Sequence, residues 1–149
     1  MMLKIKKLRD AAIIPARATP GSAGMDLCAC VDTPTQILPG QRLAMPTGIS
    51  IELDGPDCDK YAAFIFARSG LSARHGVALA NSVGVVDSDY RGEVIVSLIN
   101  HSDTAYTISP GERIAQMVIM PVCLPEIMPA DELTDTLRGD GGFGSTGKT

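Results

Sequence analysis

The sequence predicts an all-β sandwich or barrel, and three observations carry that expectation. Aromatic residues make up 4% of the chain and tryptophan is absent, so a core must be built from Val, Ile, Leu, Met and Ala. The 149 residues include 15 glycines and 10 prolines, which break the chain into short pieces separated by turns. Within those pieces apolar residues recur at period two, the spacing of a strand with one buried face.

Length and charge narrow the class further. A chain of 149 residues fits one domain, and a domain of this size buries roughly two-thirds of its unfolded surface without covalent staples. Cys28, Cys30, Cys58 and Cys123 have no C-x-x-C spacing, and only His75 and His101 could join them, so no zinc site is expected. A reduced, cytoplasmic setting is therefore expected. The start MMLKIKKLRD has no apolar segment behind its positive charge, and no run approaches the roughly 18 apolar residues of a membrane helix. A net charge of −4 gives no surplus of cations for non-specific binding to nucleic acid. Neither a membrane nor direct nucleic-acid binding is expected.

Leu3, Ile5 and Leu8 alternate loosely with Lys4, Lys6 and Lys7, as in an edge strand whose lysines discourage edge-to-edge pairing. A Pro- and Gly-rich loop over 15–24 leads into AGMDLCACV, with Met25, Leu27, Ala29 and Val31 on one face and Asp26 on the other. Residues 32–34 and Pro39-Gly40 are turns around a short strand over 36–38. In GISIEL, Ile49, Ile51 and Leu53 point inward and Ser50 and Glu52 outward. The polar loop DGPDCDK then precedes YAAFIF, a strand expected to be buried on both faces.

ARSGLSARHG follows, a small-residue loop with one helical turn at 71–74. Its backbone N–H groups around Ser69-Gly70, its hydroxyls and the Arg68 guanidinium are the groups that converge on phosphate oxygens. Residues 81–96, NSVGVVDSDYRGEVIV, read as a hairpin, with an excess of carboxylate and one tyrosine in its turn. A second hairpin is expected from strands 104–108 and 112–120 around Ser109-Pro110-Gly111. In the latter strand Gln116 is the one polar residue of an apolar run, so it needs a partner from the protein or a ligand. The acidic, Pro-containing segment after Pro121 is a connector, and the glycine-rich LRGDGGFGSTGKT is too flexible to order alone. GFGSTGKT matches the literal P-loop pattern, but no helix can follow it to meet a phosphate, and that reading is refused. Asn100-His101-Ser102 is a chance glycosylation pattern.

Taken in order, five segments resemble the motifs of the trimeric deoxyuridine triphosphatase family. They are AGMDL at 23–27, ARSGLS at 67–72, GVVDSDYRGE at 84–93, ERIAQMVI at 112–119 and RGDGGFGSTG at 138–147. The resemblance implies a distorted jelly-roll β-barrel in a single domain over 1–149, with barrel and connector to about residue 135 and a C-terminal arm over about 136–149. It implies a homotrimer with sites shared between subunits, and hydrolysis of dUTP to dUMP and pyrophosphate with Mg²⁺. By the same resemblance Asp87 is the base that activates water. Phosphate falls to Arg68, Ser69, Gly70, Gln116, Arg138, Gly144, Ser145 and Thr146. Uracil is read by Asn81 and the backbone of Gly84, Val85, Val86 and Asp87, with Ile95 closing the pocket. Tyr90 packs on deoxyribose, Phe143 stacks on the base, and Asp26 holds the metal indirectly, through a water. Two competing readings stand beside the hydrolase: a dCTP deaminase of the sister family, and a nucleotide sensor without catalysis.

Overall fold

The short alternating runs form eleven strands and one helix in the computed structural model, which describes residues 1–142. The strands are β1 (Met2–Lys7), β2 (Met25–Cys28), β3 (Thr35–Ile37), β4 (Arg42–Pro46), β5 (Ile49–Asp54), β6 (Tyr61–Ala67), β7 (Val77–Leu79), β8 (Gly84–Val86), β9 (Ile95–Asn100), β10 (Tyr106–Ile108) and β11 (Arg113–Pro121). Helix α1 spans Ser69–His75. All strand pairs are antiparallel, in four sheets ordered β1-β5, β10-β3, β2-β11-β6-β8 and β4-β9-β7.

All four sheets contribute to one hydrophobic cluster. Leu27, Ile37, Met45, Ile49, Leu98, Ile108, Ile114 and Met117 are its fully buried large side chains. Each contributes about 1.5–3 kcal/mol relative to exposure, which offsets the ordering of so many short strands. A polar residue inside this cluster must be fully bonded, and Asn100 is. Its Nδ2 donates to Ile37 O (3.0 Å) and Thr104 O (2.8 Å), and its Oδ1 accepts from Ser102 N (2.9 Å) and Ser102 Oγ (2.8 Å).

β1 is the lysine-bearing edge strand, with Lys4 paired to Glu52 and Asp54 on β5 at 3.2 and 2.8 Å. Several other expectations are corrected. Neither hairpin forms a two-stranded ladder: β8 pairs with β6 while β9 pairs with β4 and β7, and β10 pairs with β3 rather than β11. β4 and β7 were not expected, and the helical turn of ARSGLSARHG extends to a seven-residue helix closed by Gly76 at φ 67°. Ser50 is buried rather than outward. β6 is central in its sheet, and its two faces are covered unequally, with Ala62 buried on the less covered one. Its Ala63 and Ile65 are in the core, while Phe64 and Phe66 are half-exposed beside Val118 and Gln116 of β11. The segment after Pro121 has neither helix nor strand among the described residues and exposes Leu124, Ile127, Met128, Leu133 and Leu137.

Candidate active site

The turn at 87–93 owes its shape to bonds on both sides. Tyr90 N donates to Asp87 O (3.2 Å), and Arg91 Nη1 donates to Ser88 O (2.7 Å) and Tyr90 O (3.0 Å). The Tyr90 hydroxyl donates to Glu93 O at 3.1 Å. Beyond the turn the chain is tied to the β4–β5 connection rather than to β8. Gly48 N donates to Glu93 Oε1 (2.7 Å), Val94 N donates to Ile49 O (2.9 Å), and the Thr47 hydroxyl donates to Val94 O.

That anchoring holds the two arms apart and leaves a cleft of about 190 Å³ lined by Val85, Val86, Asp87, Tyr90, Glu93, Val94 and Ile95. β8 is the last strand of its sheet, so the backbone groups on its outer edge have no strand partner. Val85 and Ile95 are 59% and 53% exposed, unusual for branched aliphatic residues beside a sheet and a sign of a binding surface. Among the described residues the Asp87 carboxylate makes no ion pair and accepts no side-chain hydrogen bond, so it is available to a proton at the cleft mouth. Packing at Gly84 is close: a Cβ there would lie 3.1 Å from Ile65 Cβ across the β6–β8 ladder, so Ile65 would have to shift by a few tenths of an ångström. Asn81 stands behind it, its Nδ2 3.6 Å from the same point, and does not line the cleft.

A second pocket, of about 350 Å³, gathers the other motifs. Its lining includes Ser22, Gly24, Asp26, Arg68, Ser69, Gly70, Arg113 and Gln116. The register places Gln116 of β11 opposite Asp26 of β2 on one side and Phe66 of β6 on the other. Gln116 finds its partner in the protein, Nε2 donating to Ala67 O at 3.0 Å. Its Oε1 lies against Gly24, where any Cβ would collide with it. Arg68 Nε donates to Asp26 Oδ1 (2.9 Å) and its Nη1 to Arg113 O (3.1 Å), while Arg113 Nη1 donates to Asp26 Oδ2 (3.1 Å). Gly70 faces open space with nothing within 4 Å. The pocket thus presents guanidinium, hydroxyl and backbone groups around a carboxylate whose two oxygens are both engaged.

No group of three or more His, Cys, Asp or Glu side chains converges as a metal site among the described residues. A divalent cation here would take most of its ligands from water and from a bound anion, as Mg²⁺ commonly does. Asp26 fits contact through water better than direct ligation, since each oxygen already accepts from an arginine.

Arg138 is exposed, with its Nε donating to Gly141 O at 2.9 Å, and lines neither pocket. Phe143, Gly144, Ser145 and Thr146 lie outside the described residues. Sequence reasoning missed Arg113, Glu93 and Thr47. Arg113 adjoins Glu112 at the head of the expected strand, but nothing in the spacing signals that it faces Asp26. The two pockets share no lining residue.

The family model for dUTPase matches residues 10–147. The chain belongs to the dUTPase family. It is 51% identical to the deoxyuridine 5'-triphosphate nucleotidohydrolase of Albidiferax ferrireducens over 146 residues, covering 98% of this chain and 96% of that protein. It is 52% identical to the enzyme of the same name from Desulfitobacterium hafniense over 134 residues, covering 90% and 87%. Among solved structures, the dUTPase of Staphylococcus bacteriophage 80alpha with dUPNHPP superposes with a TM-score of 0.86 at 25% identity over 98% of each chain. The sheets described above are accordingly those of the dUTPase jelly roll.

Proposed function

We propose that this dUTPase-family chain hydrolyses dUTP to dUMP and pyrophosphate, and that it does so as a homotrimer with Mg²⁺ in the cytoplasm. The observation that carries the reading is the free Asp87 carboxylate at the mouth of a cleft whose β8 edge has unpaired backbone groups. The β8 backbone reads the uracil edge, with Asn81 behind it. Cytosine inverts donor and acceptor at position 4 and would leave buried groups unpaired. Tyr90 packs on the deoxyribose where a 2′-hydroxyl would sit, and Ile95 closes the far wall. Asp87 orients a water toward the α-phosphorus and takes its proton, help worth about 10² to 10⁴-fold.

Arg68, Ser69, Gly70 and Gln116 bind the phosphates and stabilise charge as it builds on their oxygens. Mg²⁺, when bound, would supply further neutralisation of the triphosphate, and Asp26 would hold it indirectly, through a water. Arg138, Phe143, Gly144, Ser145 and Thr146 are assigned by family resemblance to the arm over about 136–149, which covers the bound nucleotide.

The trimer is supported by what one chain leaves open. Phe64, Phe66 and Val85 form a partly exposed apolar sheet face, and the connector exposes five large apolar side chains. The separation of cleft from anion pocket also favours completion of each site by a neighbouring copy. A reducing compartment suits four free cysteines.

The test is pyrophosphate release measured side by side with dUTP, dTTP, dCTP and UTP in Mg²⁺. Release from dUTP alone is expected. Ammonia from dCTP would point to the deaminase, and tight dUTP binding without turnover to a sensor.

A further inference from the structure

Resting on the dUTPase reading, we infer that Arg113 is a positioning residue of the anion pocket: it holds Asp26 from the side opposite Arg68 and restores a net positive charge to the cluster. The starting observation is a β-bulge. Along the β11–β2 ladder Arg113 stands opposite Cys28 while Ala115 stands opposite Leu27, so Ile114 is an extra residue with no partner of its own. In a regular strand Arg113 would share the face of Ala115 and Met117, both fully buried. The bulge turns it to the face of Asp26 and Gln116, the re-aiming that bulges beside functional sites perform.

Charge explains what the turn accomplishes. Asp26 and Arg68 alone form a neutral pair, in which the guanidinium meant for phosphate is already matched by a carboxylate. Arg113, at 3.1 Å from the second Asp26 oxygen, leaves the group of three with one positive charge. Glu112, its neighbour in sequence, makes no ion pair with either arginine among the described residues and is instead held away by bonds from the Tyr106 hydroxyl and Ser109 N. Arg113 also acts through its backbone, its carbonyl accepting from Arg68 Nη1 at 3.1 Å. Arg68 is thereby fixed on two sides, with its remaining N–H groups free for an anion. The Arg113 side chain is 55% exposed, so solvent screens its bare Coulomb effect and much of its action is orientation.

The experiment measures binding of inorganic triphosphate to the full chain by calorimetry with metal chelated, which removes any contribution of Asp26 to a cation. Arg113→Gln is expected to weaken binding about tenfold, the equivalent of one charge-assisted bond. Adding Asp26→Asn to Arg113→Gln is expected to recover most of that loss, because Arg68 is then no longer matched by a carboxylate. A merely structural arginine would show no such rescue. Wild-type affinity in Arg113→Gln, or a double variant as weak as the single, overturns the proposal. Should Arg113→Gln not fold, Asp26→Asn alone decides: severalfold tighter metal-free binding supports the inference, and unchanged or weaker binding overturns it. Pyrophosphate release from dUTP by the wild type is measured on the same preparation. Its absence overturns the underlying reading, whereas its presence with an unaffected Arg113→Gln overturns only the role of Arg113.

Discussion

The Tyr90 ring occupies the space that a side chain on Gly92 would need: a Cβ at position 92 would collide with the phenol oxygen and the ring carbon beside it. Gly92 has no positive φ, so its lack of a side chain serves Tyr90 and not the backbone. Gly92→Ala is expected to push Tyr90 off the cleft and break its bond to Glu93 O, at a cost of about 1–3 kcal/mol. The relative rate with UTP against dUTP should rise. Unchanged sugar discrimination with Tyr90 displaced would count against its proposed contact.

Asp87→Asn keeps the size of the side chain and removes its basicity. Turnover of dUTP is expected to fall about 10² to 10⁴-fold with nucleotide affinity largely kept. Single-turnover rates and equilibrium binding separate the two effects, and full activity in the variant would remove Asp87 from the mechanism.

Gly24→Ala tests the other pocket. The added methyl meets Gln116 Oε1, so Gln116 must move and its bond to Ala67 O is expected to be lost. Urea unfolding should show a destabilisation of about 1–3 kcal/mol, and triphosphate affinity should fall with it. A crystal structure with Gln116 unmoved would show that the close approach is relieved elsewhere.

Burial and the Glu112 carboxylate push the Tyr106 phenol up to about 12. The protonated phenol is favoured by folding, so its stabilisation is complete below the ordinary tyrosine value near 10 and is lost as pH rises from there through about 12. The difference in stability between the wild type and Tyr106→Phe is therefore expected to shrink over that alkaline window. A difference constant from neutral pH to 12 would contradict the linkage.

Three strands were legible from residue type and spacing: β5 by clean alternation, β1 by a looser one, and β6 by its continuous apolar run. β4 and β7 were not. β4 reads RLAMP, with one arginine, one proline and only Met45 deeply buried, so its period-two signal is lost. β7 is three residues long and sits directly behind α1. Missing both made β8 and β9 look like partners, since the true neighbours of β9 had not been recognised. The candidate site divides in the same way. Asp87, Tyr90 and Arg68 stand out because turns and small-residue loops rarely collect such groups without a use. Arg113 owes its place to a bulge, a register event between distant segments that local spacing does not encode.

The cleft and the anion pocket have no residue in common, which gives defects in them different inheritance within a mixed assembly. In a ring where one chain lends its cleft and the next its arginines, an Asp87→Asn chain beside an Arg68→Ala chain leaves one site with both parts intact. Two inactive proteins, unfolded and refolded together, are expected to regain activity at about a quarter of their sites under random assortment. Refolded separately they stay inactive, and if the mixture does too, each chain must work with its own two pockets. In such a ring an Asp87→Asn chain disables only the one site to which it lends its cleft, so the activity lost equals that chain's share of the protein.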